Sequence, residues 1–166
     1  MGINQRSSIV MSDDEIEMFI AQQRVANLAT QGKSAIHLTA MWYGVIDGAI
    51  WFETKAKSQK IVNLRRDPHA TILIEAGDTY DTLRGVSIEG TVEIFDDPET
   101  CFQTGRSVWE RYNGPYTDEL RPAVEAMMNK RVAARMVPSR IRSWDHRKLG
   151  LPAMPIAGST AQFLND

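Results

Sequence analysis

Seven consecutive residues, Thr54-Lys55-Ala56-Lys57-Ser58-Gln59-Lys60, place three lysines and two hydroxyls where a strand is expected to hand over to a short helix, with no acid among them. A helix N-terminus carries partial positive charge, so Asp and Glu are favoured there and Lys is not. A bound anion would rationalise the arrangement, because backbone N–H groups and lysines together hold a phosphate. The alternative is a solvated basic turn whose lysine stems lie over apolar surface. The Thr54 and Ser58 hydroxyls would add hydrogen bonds to a phosphate; Ser58 is equally placed to cap the helix.

Other chemistry-bearing residues are sparse. His37 falls mid-strand, an acid–base candidate whose bland reading is a hydrogen-bonded strand histidine. His69 follows Pro68 at a strand start and reads as surface. His146 lies in the polar string Trp144-Asp145-His146-Arg147-Lys148, which suits a site wall or a solvated chain end. Cys101 is the only cysteine and falls in a helix, so a buried inert thiol is expected. The histidines are scattered and no paired cysteines occur, so no metal site is expected. There is no Gly-x-Gly-x-x-Gly, no Gly-Lys-Ser/Thr loop and no serine elbow. Trp42 and Trp51 read as core aromatics, with room for one of them beside a ligand.

The 166 residues suit one domain, here placed at 1–150, followed by an extended tail over 151–166. The net charge of −2 argues against a general nucleic-acid binder. The lack of disulfide capacity fits a reducing cytoplasm. No apolar run is long enough to span a membrane, and Met1 to Arg6 show no signal-peptide core.

The elements that must position the lysines follow from local signals. Ser12 and Glu15 form a capping box ahead of a helix carrying Ile16, Phe19 and Ile20 on one face. Strands are expected over 25–30 and 35–46, the second closing on a tight Asp47-Gly48 turn that returns over 49–54. A short helix starts near Ser58 and ends at Asp67-Pro68. Strands over 71–76 and 83–95 follow, the second with bend points at Gly85 and Gly90. Asp97-Pro98 opens a helix that ends near Asn113; another spans 117–129. Two final strands are expected over 131–137 and 140–144. The pattern is mostly β with flanking helices, a six- to seven-stranded antiparallel barrel or sandwich. Ile50-Trp51-Phe52 and Ile72-Leu73-Ile74 are apolar on both faces, so cover is needed from helices or a second subunit, which favours a homodimer.

The strings His37-Leu38-Thr39-Ala40-Met41-Trp42-Tyr43, Asp47-Gly48, Lys57-Ser58-Gln59-Lys60 and Asn63-Leu64-Arg65-Arg66-Asp67-Pro68 resemble the split β-barrel flavin-binding family, of which pyridoxamine-phosphate oxidase is the best-known relative. Asn63 to Pro68 and Ser143-Trp144-Asp145 resemble its actinobacterial branch, the deazaflavin-dependent oxidoreductases, and within it mycobacterial members. The likeness spans about residues 5–160. It implies a homodimer with a site at the subunit interface and a cofactor that is coenzyme F-420, a 5-deazaflavin with a phosphate and a lactyl-oligoglutamate tail, or alternatively FMN. It implies that Lys60 grips the cofactor phosphate. Ser58 occupies a position that is often Arg, so Lys57 or Lys55 would supply charge. Met41, Trp42 and Tyr43 match the strand against which the ring system lies, and Tyr80 and Arg84 match a segment reaching the site from the partner chain. The implied function is hydride transfer between the reduced cofactor and a small organic acceptor, with the proton from water or Tyr43 as the candidate catalytic residue. A binder of a flavin or apolar ligand without turnover is the alternative class. Pocket shape, which sequence does not display, decides among acceptors such as quinones, tetrapyrroles and unsaturated carbonyl compounds.

Overall fold

The computed structural model describes residues 5–156. Its elements are α1 (Gln5–Ser8), α2 (Asp13–Gln22), β1 (Ala26–Gln31), β2 (Ile36–Met41), β3 (Gly44–Ile46), β4 (Ala49–Lys55), α3 (Gln59–Arg66), β5 (His69–Ala76), β6 (Arg84–Phe95), α4 (Pro98–Tyr112), α5 (Arg121–Met128) and β7 (Arg131–Asp145), with short 3-10 turns at Asp118–Leu120 and His146–Leu149. The strands form one antiparallel sheet in the order β2-β1-β5-β6-β7-β4-β3, with flanking helices, a split β-barrel. Residues 151–156 are exposed and carry no helix or strand. The remainder of the expected tail, 157–166, and the expected non-signal start at 1–4 lie outside the described residues.

Two compact units emerge, one from residues up to 23, 74–86 and from 142, the other from 24–73 and 87–141. In the first, α2 begins with the expected capping box, Ser12 Oγ accepting from the Glu15 N–H and Glu15 accepting from the Ser12 N–H. The 144–148 string is a clasp there. Asp145 accepts from the Arg147 backbone and guanidinium, its own N–H donates to the Ile9 carbonyl, and Lys148 reaches Glu15 at 2.6 Å.

In the second unit the expected long strand over 35–46 is two strands. β2 pairs with β1, whereas β3 pairs with β4. One stretch of chain thereby serves both edges of the sheet, and the crossover is Trp42-Tyr43. The Tyr43 N–H donates to the Tyr112 hydroxyl instead of to a strand. Gly44 presses so close to α4 that a Cβ there would lie 2.7 Å from the Ser107 hydroxyl. The two-residue Asp47-Gly48 turn forms as expected, with φ of 51° and 74°, the positive pair such a hairpin requires.

The two strands expected over 131–137 and 140–144 are one, β7. Pro138 fits within it because pairing with β4 ends at Arg135, leaving that side of β7 without a ladder to interrupt. Cover for the doubly apolar β4 comes from α4 and α5. Trp51 packs with Cys101, Met128 and Ala133, with Phe95 at their margin. The exposed apolar face lies on β2 instead, where Ile36 and Leu38 are 69% and 64% exposed; Trp42, just past the strand's end, is 56% exposed.

Candidate phosphate site and its surroundings

α3 carries the site because of where its two ends are tied. Its Asn63, with no exposed surface, donates to the Thr30 hydroxyl on β1 at 3.1 Å and accepts from Gln59 at 2.8 Å. One turn earlier, Lys60 Nζ donates to Thr54 Oγ1 on β4 at 3.4 Å. Three strands, β5, β6 and β7, lie between β1 and β4 in the sheet, so α3 is tied to two strands that do not pair.

At the start of α3 the chain arranges hydroxyls, N–H groups and a lysine together. Thr54 Oγ1 and Ser58 Oγ lie 3.4 Å apart. Ser58 occupies the N-cap position without a side-chain cap bond, and the first turn holds no acid. Its hydroxyl is therefore not spent on the helix, and the first-turn N–H groups lack intrahelical acceptors. Lys60 is half-buried; desolvation first, and the Arg131 guanidinium second, push its pKa below the ordinary lysine value, while Glu53 acts against them. Glu53 itself is pushed up by burial, although Arg131 Nη1 donates to it at 2.5 Å. The carboxylate that acts on this lysine, Glu53, is committed to Arg131. A partly desolvated ammonium, two hydroxyls and an uncapped helix start fit a phosphate group. Lys55, at the end of β4, and Lys57, on the turn leading into α3, lie exposed.

The remaining candidates fall elsewhere. Met41 ends β2, half-buried. Trp42 is not a core residue: it stacks on Tyr112 with ring centroids 4.3 Å apart and planes within 5°. Tyr43 has no exposed surface, its hydroxyl accepts from Arg111 at 3.0 Å, and the guanidinium lies over its ring at 4.3 Å. Burial raises its pKa. His37 is not the satisfied strand histidine expected: its Nδ1, like the Thr39 hydroxyl two residues on, is buried with no hydrogen-bond partner among the described residues. Cys101 is buried, its thiol directed to the Phe95 carbonyl and its pKa raised by desolvation. In the first unit, Tyr80 is half-exposed and meets His146 edge-on at 4.4 Å; Nδ1 of His146 donates to the Tyr80 carbonyl. Arg84 lies 5.5 Å over the Phe19 ring. Among the described residues no group of three metal-ligating side chains occurs, and no helix is long and apolar enough to cross a membrane.

The sequence profile of the pyridoxamine 5'-phosphate oxidase family matches residues 12–145, a span holding every candidate named above except His146. The chain belongs to the pyridoxamine 5'-phosphate oxidase family. This family member is 63% identical to the conserved hypothetical protein Rv2991 from Mycobacterium tuberculosis, with a TM-score of 0.92 over 96% of this chain and 100% of that one. A solved F420 reductase is 26% identical with a TM-score of 0.57, over 75% of this chain and 94% of that one. HutZ, the heme storage protein from Vibrio cholerae, shares the fold at 13% identity and a TM-score of 0.63, over 80% of this chain and 96% of that one. No curated protein matches this sequence.

Sequence reasoning on this family member missed Glu53 and Arg131, the two charges that set the electrostatics around Lys60. Arg131 is 78 residues from Glu53, and no local pattern announces a pairing across β4 and β7.

Proposed function

We propose that this protein is a deazaflavin-dependent oxidoreductase whose cofactor, coenzyme F-420, is anchored by its phosphate at Lys60, Thr54 and Ser58. The observation that carries the reading is the half-buried Lys60 ammonium at an uncapped helix start, beside a Glu53 carboxylate already paired with Arg131. The solved F420 reductase with the same fold favours the deazaflavin over FMN. When bound, the cofactor supplies the hydride chemistry. The chain's own residues would bind and orient it. Lys60 and the two hydroxyls hold the phosphate, Met41 at the end of β2 and Trp42 in the crossover lie beside the ring system with the buried Tyr43 behind them, and Lys55 and Lys57 offer charge to an acidic tail. Tyr80 and Arg84 would reach the site of a second copy. With the Tyr43 hydroxyl buried against Arg111, the proton for the acceptor comes from water.

The test is titration of the purified protein with coenzyme F-420 and with FMN, followed by tryptophan fluorescence. Tighter binding of the deazaflavin by at least tenfold, about 1.4 kcal/mol, is expected. Co-purification with stoichiometric FMN, or equal affinities, would refute the cofactor choice. The burial of Tyr43, the sole catalytic candidate, favours a second reading, a carrier that binds the cofactor without turnover. Oxidation of the reduced cofactor in the presence of quinones and unsaturated carbonyl acceptors separates the two.

A further inference from the structure

The charges around Lys60 are three, and they do not cancel. Lys60 extends from α3, Arg131 from β7 and Glu53 from β4. Arg131 Nη1 meets Glu53 Oε2 at 2.5 Å, with the Glu53 side chain 11% exposed and that of Arg131 31% exposed. Lys60 feels both of them, repelled by Arg131 and attracted by Glu53. Two cations and one anion leave a net charge of +1. The neighbouring Lys55, Lys57 and Lys130 are exposed, so water and salt screen them far more than the half-buried three. No histidine contributes to the charges acting on Lys60.

A partly desolvated site penalises excess charge of either sign. A phosphate esterified on both sides carries one negative charge and neutralises this site. A phosphate monoester carries nearly two at pH 7, because its second pKa is about 6, and would leave the site negative beside Glu53. Coenzyme F-420 has the first kind of phosphate, joined to a ribityl chain on one side and a lactyl group on the other. FMN has the second kind.

We propose that Glu53, by holding the Arg131 charge in a pair, is the specificity-determining residue that makes this site select a monoanionic phosphodiester over a dianionic phosphomonoester. The proposal rests on the reading of Lys60 as the phosphate anchor and deepens it. Glu53 acts here without touching the phosphate: removing its charge leaves Arg131 free to face the ligand and raises the site to +2, which suits a dianion.

Two measurements test this. The first is affinity of the wild-type protein for FMN between pH 5 and pH 8. FMN binding is expected to strengthen as pH falls through about 6, where the monoester becomes a monoanion, while coenzyme F-420 binding stays flat over the same range. FMN binding that instead strengthens as pH rises overturns the proposal and leaves the phosphate anchor standing. The second is the ratio of the two affinities at pH 8 in Glu53→Gln. The ratio is expected to shift toward FMN by about tenfold, the 1.4 kcal/mol typical of one altered charge contact. The double variant Glu53→Gln/Arg131→Gln, which returns the site to +1, is expected to restore the wild-type ratio. A Glu53→Gln protein that loses both ligands equally marks Glu53 as structural and overturns the proposal. If Glu53→Gln fails to fold, the wild-type pH profile decides alone. A wild-type protein that takes up neither ligand removes the phosphate anchor and this inference with it.

Discussion

Lys60 is the residue on which the functional reading turns, and its physics separates binding from stability. Its ammonium sits at the unfavourable end of α3 without a carboxylate of its own. Lys60→Ala is expected to weaken cofactor binding by roughly 1.5–3 kcal/mol, the range for charge-assisted hydrogen bonds. The apo-protein should melt at the same temperature or slightly higher, since an unfavourable charge–dipole contact is relieved. Lys33→Ala, in the exposed turn between β1 and β2, is the control. If Lys60→Ala binds like wild type and melts lower, the lysine is structural. The depressed pKa of Lys60 adds a pH signature. Its folded value lies below the unfolded value near 10.5, so between the two the folded chain binds fewer protons, and apo stability gains from this group as pH rises through that window. Cofactor affinity should fall over the same window as the ammonium deprotonates. Lys60→Arg, which stays charged, should show a flatter affinity profile up to pH 10. Tyr43 gives the opposite pattern. Tyr43→Phe deletes the acceptor for Arg111 and is expected to cost about 1–2 kcal/mol of stability while leaving turnover unchanged. A large loss of turnover at unchanged stability would return Tyr43 to the chemistry.

At the scale of elements, the buried Asn63 amide is one of the ties that hold α3 to the sheet, beside buried Ile61 and Leu64 and the Arg66 bond to the Gln31 carbonyl. Asn63 links Gln59 on its own helix to Thr30 on β1, and none of its surface is exposed. Asn63→Ala breaks both bonds and leaves the Thr30 hydroxyl without that donor. A loss of about 2 kcal/mol is expected, which for a domain of this size lowers the melting temperature by about 4–8 °C. Cofactor affinity should fall as well, because the helix that presents Lys60 loses one of its ties. Calorimetry together with the titration above checks both; unchanged affinity at lowered stability would mean that α3 keeps its place without Asn63. Gly90 tests the sheet itself. A Cβ there would lie 2.1 Å from the Val137 carbonyl oxygen, a backbone atom that cannot rotate away. Gly90→Ala must therefore push β6 from β7, and a cost of about 1–3 kcal/mol is expected from denaturant unfolding.

For the whole molecule, the outward face of β2 carries the prediction. We propose a homodimer that buries Ile36, Leu38 and Ala40, which alternate along β2 and face away from the chain's own core, together with Trp42 just past its end. The cover expected over β4 is already supplied by α4 and α5, so the dimer rests on β2. Sedimentation of wild type at micromolar concentration should give twice 18.7 kDa, and Leu38→Lys should shift it to the monomer mass. A wild-type species of 18.7 kDa alone would refute the dimer. We also propose that residues 1–150 unfold as a single domain, because β5, β6 and β7 each supply residues to both compact units. A calorimetric trace with two separated transitions would show otherwise.

Features that depend on neighbours in the chain were readable from the sequence by itself. The Ser12–Glu15 capping box, the Asp97 cap, the Asp47-Gly48 turn and the three crowded lysines are local, because backbone dihedrals and helix ends are governed by residues within a turn or two. The strings from His37 to Pro68 also sufficed to place the chain in its family. What needed the tertiary structure was everything decided between distant segments. A single apolar run over 35–46 looks like one strand until the Tyr112 hydroxyl takes the Tyr43 N–H and sends the two halves to opposite edges of the sheet. Pro138 looks like a strand break until β4 is seen to stop short of it. Trp42 and Trp51 read alike, yet one stacks at the surface on Tyr112 and the other is sealed beneath α4 and α5. Whether a carboxylate is left to pair with Lys60 was undecidable from its own neighbourhood, since Glu53 and Asp67 stand equally near in sequence and Glu53 is bound by Arg131, 78 residues away in the chain. Electrostatics and packing act through space, and the chain order of these residues carries no record of which ones meet.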